Sequence, residues 1–270
     1  MTTILSTQTV DMDVPVHPMV STVPKVSLIM PAYNEEKRIA ECIRRATAQL
    51  DNLGSPYEII VIDDGSLDKT RIEAMVPNDP NVKVVGYSQN RGKGAAIKYG
   101  VEYATGKFVV FIDSDADIEP ETIDQYVNIL QSYDLAIASK RHKDSRVSAP
   151  VMRRLLSRIF HSLVILLTGI RVSDTQSGLK AFRREALCEI MKQICVKRYA
   201  FDVELLTVAE LLKLRVAELP VRITLNSSFR RQDILRMFVD LMGIVYRLRV
   251  IRWYQRNLLA EREYKPIIRW

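Results

Sequence analysis

Three aspartates at alternate positions, Asp113, Asp115 and Asp117, are the residues whose type and spacing point most directly to chemistry. They follow residues 108–112, a continuous apolar run typical of a buried parallel strand. Ligands of open α/β sheets bind at the carboxyl ends of the strands, so these carboxylates are expected in a binding site. Like charges this close are costly unless a cation neutralises them. Oxygen ligands suit Mg²⁺ or Mn²⁺, and such an ion can hold a diphosphate.

Two other interpretations of the aspartates need weighing. An EF-hand calcium loop also begins with alternating acids, but it requires Gly at its sixth position and Glu at its twelfth. This chain has Ile118 and Asp124 there, and a strand precedes the loop where an EF-hand has a helix. A solvated acidic turn is the second alternative, because Asp is common in turns. The three aspartates alone leave the metal site and the turn open.

Composition sets limits on the class of protein. The chain has 270 residues, 47% of them hydrophobic, which is enough for one large domain with an appendage. Its net charge of +7 is compatible with nucleic acid, an anionic membrane surface or a phosphorylated substrate as partner. The scattered cysteines Cys42, Cys188 and Cys195 do not form a disulfide framework or a zinc site, and they favour a reducing compartment.

No segment predicts a secretory signal or a membrane span. Residues 1–24 contain no Lys or Arg and no continuous apolar core, and we expect them to be a mobile tail. The most aliphatic run in the body, residues 163–167, is far short of the roughly 20 residues that cross a bilayer. The expected location is therefore cytoplasmic, with peripheral attachment to the cytoplasmic face of a membrane.

Strand and helix patterns alternate through the first 140 residues. Five strands are predicted at residues 26–30, 57–62, 82–85, 108–112 and 135–138, with helices between them. The first helix carries apolar residues at helical spacing from Ile39, with Asn34 as its predicted N-cap. Short connections between such elements predict an α/β fold with a mostly parallel sheet covered by helices on both faces.

Polar residues follow each of the first four strands. Asn34 and Glu35 come after the first strand, Asp63 and Asp64 after the second, a glycine-containing loop after the third, and the aspartates after the fourth. One such group could cap a helix, but four at the same sheet edge indicate a single ligand site built from several loops. The glycine loop, residues 90–94, matches neither a P-loop nor a dinucleotide fingerprint. It predicts a basic helix N-terminus suited to a phosphate.

The second half of the chain carries amphipathic helices. Residues 155–170 form one apolar helical face, with Arg154, Arg158 and His161 predicted on the opposite side. A last strand is predicted over residues 215–225. From about residue 232 a helix is predicted with an apolar stripe, followed by Arg249, Arg252 and Arg256 with aromatic residues between them. This pattern is typical both of a core-packed terminal helix and of an interfacial membrane helix, and the sequence leaves the two open.

Taken in order, these motifs resemble the family 2 glycosyltransferases of GT-A fold, and among them the polyprenyl-phosphate (dolichyl-phosphate) sugar synthases. The resemblance covers about residues 26–225. We take residues 25–225 as the GT-A domain and residues 226–270 as a C-terminal amphipathic region. It rests on the motifs at residues 31–35, 63–66 and 90–94 and on the Asp113/Asp115 pair. The motifs at residues 174–180 and 201–205 are more similar to the dolichyl-phosphate glucosyltransferase branch than to the mannosyl branch.

The resemblance implies a role for particular residues. Those predicted to bind the nucleotide sugar are Pro31, Tyr33, Glu35, Asp63, Lys93 and Asp113. Asp115 and Asp117 would hold Mg²⁺ or Mn²⁺. Arg141 would contact the acceptor phosphate, and the catalytic set would be Asp113, Asp115 and Arg141. Apart from the resemblance, the basic residues Arg154 and Arg158 of the helix that follows are further candidates to position that phosphate.

The expected activity is inverting transfer of a hexose, with glucose favoured, from a nucleotide-diphosphate sugar to a polyprenyl or dolichyl phosphate at a membrane surface. UDP-glucose is the favoured donor, and GDP-mannose is the alternative. A second hypothesis is transfer to a hydroxyl group in polysaccharide synthesis, which requires a carboxylate base such as Asp202 or Glu204. A third, a nucleic-acid-binding module, has no recognised motif to support it, and no nucleic acid is expected as a partner.

Overall fold

The computed structural model describes residues 24–114, 123–198, 200–224 and 231–263. Seven strands form one sheet: β1 (Val26–Ala32), β2 (Tyr57–Asp64), β3 (Val82–Tyr87), β4 (Phe108–Phe111), β5 (Leu135–Ala138), β7 (Lys180–Arg183) and β8 (Val216–Leu219). Their spatial order is β3-β2-β1-β4-β7-β5-β8. All neighbouring pairs are parallel except those of β7, which runs antiparallel to both β4 and β5. The predicted mostly parallel α/β fold is confirmed.

Helices cover both faces of the sheet. They are α1 (Ile39–Asp51), α2 (Thr70–Met75), α3 (Lys93–Tyr103), α4 (Ile123–Ile129), α5 (Val151–Thr168), α6 (Arg184–Gln193), α7 (Phe201–Leu211), α8 (Arg231–Val245) and α9 (Trp253–Glu263). One core joins the sheet to α1 and α4, and the other joins its opposite face to α3, α6, α7 and the C-terminal helices. Strands β1 and β2 are buried on both sides, which is why their sequences show no polar alternation.

Two local predictions were wrong. The strand predicted over residues 215–225 is two strands, β8 and β9 (Arg222–Thr224), and β9 pairs with β6 (Arg146–Ser148) in a small second sheet. Pro220 lies at the break, since it has no N–H group to donate to a strand ladder. Asn34 is not the N-cap of α1, because Arg38 occupies that position. Asn34 has a φ of 57°, and its side-chain oxygen accepts a hydrogen bond from the Leu67 N–H.

Helix α5 buries a different face from the one predicted. His161, Val164 and Thr168 are its buried residues, whereas Leu155 and Leu166 of the predicted apolar face are exposed. The helical pattern alone could not decide this, because apolar residues lie on both sides of the helix. Helix α5 therefore presents an apolar surface to the outside of the domain.

The C-terminal helix is interrupted where the sequence predicted continuity. Helix α8 runs into a π-helical segment, Tyr246–Val250, and Arg252 then takes a φ of 51° before α9 begins. Arg247 points inward and donates to the Tyr254 hydroxyl and to Glu204, and Tyr254 is completely buried. Within the described residues, no helix is both long and apolar enough to cross a bilayer.

Candidate active site

The carboxyl ends of β1, β2 and β4 enclose a cleft of about 250 Å³, called the donor cleft below. Its described lining residues are Pro31, Ala32, Tyr33, Glu35, Asp64, Lys93, Asp113 and Ser114. Five of the six residues predicted to bind the nucleotide sugar therefore lie together, from the ends of β1 and β4 and the N-terminus of α3. The parallel register brings these ends to one edge, since each loop leaves the sheet in the same direction.

The sixth residue, Asp63, has a different position from its neighbour Asp64. Asp63 is buried, and its Oδ1 accepts a hydrogen bond from the Ser66 N–H at 3.0 Å. Asp64 is the aspartate of this pair that belongs to the described lining. The Asp64 carboxylate also holds the glycine loop, because it accepts hydrogen bonds from the backbone N–H groups of Arg91 and Gly92 and from the side chain of Asn90.

Lys93 is the cation of the donor cleft. Its Nζ lies 2.6 Å from Asp113 Oδ1 and 3.8 Å from Asp202 Oδ2, so it links the end of β4 to the start of α7. Gly92 positions this lysine: it takes a φ of 95°, and a side chain there would collide with Arg198. Lys93 is one-third exposed, which leaves its ammonium group accessible to a ligand in the cleft.

A buried ion pair supports this arrangement from below. Lys180 Nζ lies 2.8 Å from Asp202 Oδ1, and it also donates to the Ser177 carbonyl. Burial alone would raise the pKa of Asp202, but the ammonium groups of Lys180 and Lys93 outweigh it and hold that pKa below its usual value. Burial lowers the pKa of Lys180, and the Asp202 charge offsets this only in part. We take the pair to be ionised at neutral pH, because the two groups are in direct hydrogen-bond contact.

The reversed strand β7 delivers the loop before it to the active-site edge. Because β7 is antiparallel, its first residue, Lys180, lies beside the last residues of β4 and β5. Gly178 in this loop touches the Asp113 carboxylate so closely that a Cβ atom there would overlap it. Asp174, in the same loop, pairs with Lys140 at 3.3 Å, which fixes the loop to the end of β5.

Of the two predicted acceptor residues, Arg141 follows β5 at this same edge, and Arg154 lies on α5. Arg141 is exposed just after β5, and Arg154 is exposed on the first turns of α5. Arg141 is near enough to His161 to affect it: burial lowers the pKa of His161, and the Arg141 charge lowers it further. His161 Nδ1 is buried and has no hydrogen-bond partner in the described part of the chain. The structure places Arg141 against the helix that carries Arg154.

The predicted metal ligands Asp115 and Asp117 lie outside the described residues. Among those described, no group of three or more His, Cys, Asp or Glu side chains is placed to hold a metal. The chemistry of the predicted set does fit a hard cation, because it consists of carboxylate oxygens that immediately follow Asp113 at the cleft.

The two candidate carboxylate bases differ sharply. Glu204 is completely buried, and its carboxylate accepts hydrogen bonds from the N–H groups of Cys195 and Val196, from Arg247 and from the Tyr254 hydroxyl. It therefore fastens the C-terminal helices to α7 and does not reach the cleft lining described above. Asp202 does lie beside the cleft, but Lys180 and Lys93 hold it as a carboxylate with a lowered pKa, which makes it a weak base.

Sequence reasoning placed Asp64 at the ligand site without a specific role, and it assigned no role to Lys180 or Gly178. A signal for Lys180 was present, since a lysine within the short apolar stretch at residues 179–182 must find a buried partner. The contact between Gly178 and Asp113 spans 65 positions of sequence, and no local pattern encodes it.

The seven-stranded sheet and its flanking helices form the GT-A fold of glycosyltransferases. The family model described as Glycosyl transferase family 2 matches residues 27–191, and the chain belongs to that family. It is 34% identical to the human dolichyl-phosphate beta-glucosyltransferase over 218 residues, which are 74% of this chain and 67% of that protein. The enzyme of that name from Saccharomyces cerevisiae is 30% identical, over 73% of this chain and 66% of its own length.

Solved structures agree on the fold. Glucosyl-3-phosphoglycerate synthase from Mycobacterium tuberculosis, in complex with Mn²⁺, UDP and phosphoglyceric acid, superposes with a TM-score of 0.62 at 26% identity. The match covers 83% of this chain and 78% of that one. A second structure of that enzyme, in complex with UDP, gives a TM-score of 0.65 at 23% identity.

Proposed function

We propose that this glycosyltransferase moves glucose from UDP-glucose to a dolichyl or other polyprenyl phosphate, with inversion at the anomeric carbon. The observation that carries the proposal is the donor cleft, in which Lys93 and Asp113 lie beside the motif that follows the first strand, residues 31–35. The glucosyltransferase relatives favour glucose and dolichyl phosphate over the mannosyl and hydroxyl-acceptor alternatives.

The charges around the cleft support a phosphate acceptor. A phosphate monoester has a second pKa near 6, so at neutral pH it is largely a dianion and needs no strong base. A hydroxyl acceptor does need one, and neither carboxylate suits that role: Glu204 is buried under the C-terminal helices, and Asp202 is ion-paired. The exposed cations at the acceptor side, Arg141 and Arg154, would instead bind the phosphate.

The chain's own groups would act on the leaving nucleotide as follows. Lys93, one-third exposed at the N-terminus of α3, would bind the diphosphate oxygens as charge accumulates on them. Asp64 would keep the glycine loop in place, and Asp113 would contact the sugar or nucleotide. A divalent cation held by Asp115 and Asp117, when bound, would supply further stabilisation of that charge. The related synthase crystallised with Mn²⁺ and UDP favours this requirement.

We further propose peripheral attachment to the cytoplasmic face of a membrane. Helices α5 and α8 touch each other, and both expose large apolar residues. We call this surface the α5–α8 face: Val151, Met152, Leu155, Ile159, Leu166, Leu235, Phe238, Val239 and Met242. Exposed arginines, including Arg158, Arg236 and Arg249, border it, as expected of a surface that meets an anionic bilayer. All three cysteines are free, which agrees with a reducing compartment.

The direct test is incubation with radiolabelled UDP-glucose or GDP-mannose and dolichyl phosphate, followed by solvent extraction of lipid-linked sugar. We expect labelled lipid from UDP-glucose, and a Lys93→Gln enzyme with a rate about 100-fold lower. Lys25→Gln, which changes an exposed lysine directly before β1 and so at the opposite end of that strand from the cleft, should keep its rate. Preference for GDP-mannose would overturn the sugar assignment, and label in water-soluble polysaccharide would overturn the acceptor assignment.

A further inference from the structure

A second pocket, of about 480 Å³, lies between helix α8 and the segment that precedes α7. Cys195, Lys197 and Arg198 line one wall, and Val239, Asp240 and Arg247 line the other. None of the described residues that line it belongs to the lining of the donor cleft. The two sites are separated at Gly92, because Arg91 faces the second pocket and Lys93 faces the donor cleft.

The lining of this pocket is strongly cationic. Arg91, Lys197, Arg198 and Arg247 contribute positive charge, and Asp240 is the one carboxylate among the described lining residues. The Arg91 guanidinium lies 4.4 Å from the centre of the Tyr87 ring, which fixes its direction without neutralising it. Lys197 and Arg198 are exposed. Such a set favours an anion, and arginines in particular favour a phosphate.

The pocket is held in shape by buried bonds. Glu204 accepts from the Cys195 and Val196 N–H groups at 2.9 and 2.6 Å, and it also binds Arg247 at 3.1 Å. The Lys197 carbonyl accepts from the Ala95 N–H at 3.1 Å, which ties the segment to the start of α3. Both walls are therefore anchored to the same buried carboxylate, so a ligand would not have to order them.

The chemistry around the pocket narrows the class of anion. Val239, on the wall formed by α8, is 60% exposed and belongs to the α5–α8 face, so the pocket lies at the border of that apolar surface. A bound anion with an apolar tail could lay that tail on the face. Asp240 Oδ2 is buried and has no hydrogen-bond partner in the described part of the chain, so it can accept a hydrogen bond from a ligand.

We infer that this pocket binds the head group of an anionic phospholipid that carries both a phosphate and an ammonium group, as phosphatidylserine does. The phosphate lies among Lys197, Arg198 and Arg91, and the ammonium group donates to Asp240. The acyl chains leave along the α5–α8 face. The inference does not depend on the glycosyl-transfer reaction, since it uses none of the donor-cleft residues.

The test uses dihexanoylphosphatidylserine, a soluble short-chain form, with binding followed by titration calorimetry on the full chain. The variant is Lys197→Gln/Arg198→Gln, which removes two charges but keeps the Arg198 Cγ that packs on Gly92. We expect about tenfold weaker binding, because two charge-assisted hydrogen bonds at a partly exposed site are lost. The matched control, Arg44→Gln/Arg71→Gln, removes two exposed charges from α1 and α2, on the other side of the sheet.

UDP affinity, measured in the same samples, should be equal in all three proteins and shows that the variants are folded. Dihexanoylphosphatidylcholine, which has a phosphate but no hydrogen-bond donor, should bind more weakly than the serine lipid. Equal binding of the serine lipid by both double variants would overturn the inference. A second result would also overturn it: citronellyl phosphate displaces the serine lipid, and the Lys197→Gln/Arg198→Gln variant loses prenyl-phosphate glucosylation. The pocket would then be the acceptor subsite.

Discussion

At the scale of single residues, the donor cleft depends on where its charges are fixed. Asp113 and Asp202 share Lys93, and Lys180 satisfies the far side of Asp202 from within the core. Lys93, at the mouth of the cleft, can leave its carboxylate partners to bind a ligand. Lys180, below it, cannot, because it is only 1% exposed. The two lysines therefore have separable roles in binding and in stability.

We predict that Lys180→Met lowers the free energy of unfolding at pH 7 by roughly 3 kcal/mol, because it leaves Asp202 buried with a single, longer ion pair. The loss should shrink as the pH falls below about 4, where the carboxyl group takes up a proton. The sign follows from the lowered pKa of Asp202: the wild-type pair contributes stability above that range and loses it in acid. Urea unfolding at both pH values measures the difference. Lys25→Met, at an exposed lysine, is the control, and an equal small effect in both variants would contradict the prediction.

A second residue-scale prediction concerns the metal. Asp115→Asn should remove most glucosyl transfer while the unfolding midpoint is kept or raised, since losing one of three nearby negative charges relieves repulsion. Removal of divalent cations by EDTA should abolish transfer by the wild type, and Mn²⁺ or Mg²⁺ should restore it. Full activity of the variant, or of the wild type in excess EDTA, would rule out this role.

At the scale of elements, the C-terminal segment is divided between two tasks. Leu241, Ile244 and Leu248 pack on the core, whereas Leu235, Phe238 and Val250 are exposed. One side of the segment is thus packed on the core, and membrane contact of its other side stays a prediction. Glu204 joins its inner side to α7, whose first turn carries Asp202.

We predict that Tyr254→Phe loosens this junction. The hydroxyl group accepts from Arg247 Nε at 2.9 Å and donates to Glu204, so its removal leaves buried partners unsatisfied at a cost of about 1–3 kcal/mol. Hydrogen exchange should quicken in residues 246–263 before it changes elsewhere. Tyr246→Phe, in the same segment but 54% exposed, is the matched control. Identical exchange in the two variants would show that the buried hydroxyl does not fasten the helix.

These two scales also show what the sequence could predict. The elements of the first half could be predicted from apolar runs separated by polar loops. Because the strands run in the same direction, their polar ends could be placed at one site, and five of the six residues predicted to bind the nucleotide sugar do line the cleft. The orientation of α5 could not be predicted, because apolar residues lie on both sides of this helix and its contact with α8 is a tertiary one. The contacts of Lys180 and Gly178 could not be predicted either, because they depend on the antiparallel pairing of β7, which only the tertiary structure reveals.

At the scale of the whole molecule, the α5–α8 face determines how the enzyme would meet its lipid. We predict that the wild type floats with vesicles of phosphatidylcholine and phosphatidylserine at low salt, is partly released by high salt and fully by detergent. Each basic residue at the surface contributes about 1 kcal/mol to the free energy of membrane binding, and salt screens this contribution. Burial of apolar area contributes a further amount that does not depend on salt.

The variant Leu155→Gln/Leu166→Gln/Phe238→Gln should weaken flotation by at least about tenfold, since all three side chains are exposed and would lose bilayer burial without loss of folding. The control changes three exposed apolar residues at the opposite helix α2, Ile72, Met75 and Val76, to Gln. Equal flotation of the two triple variants would show that the face packs against protein and not lipid.

The position of β7 also determines how much of the chain must be synthesised before the sheet can form. Strands β4 and β5 are consecutive in the chain, joined by a connection that contains α4, but β7 lies between them in the sheet. Until residue 183 has emerged, neither strand can pair on its inner edge, and both expose unpaired backbone to other chains. A nascent or truncated chain ending near residue 150 should therefore bind chaperones or aggregate, while one extended past α7 should become resistant to protease. Pulse proteolysis of stalled nascent chains of increasing length would locate that step.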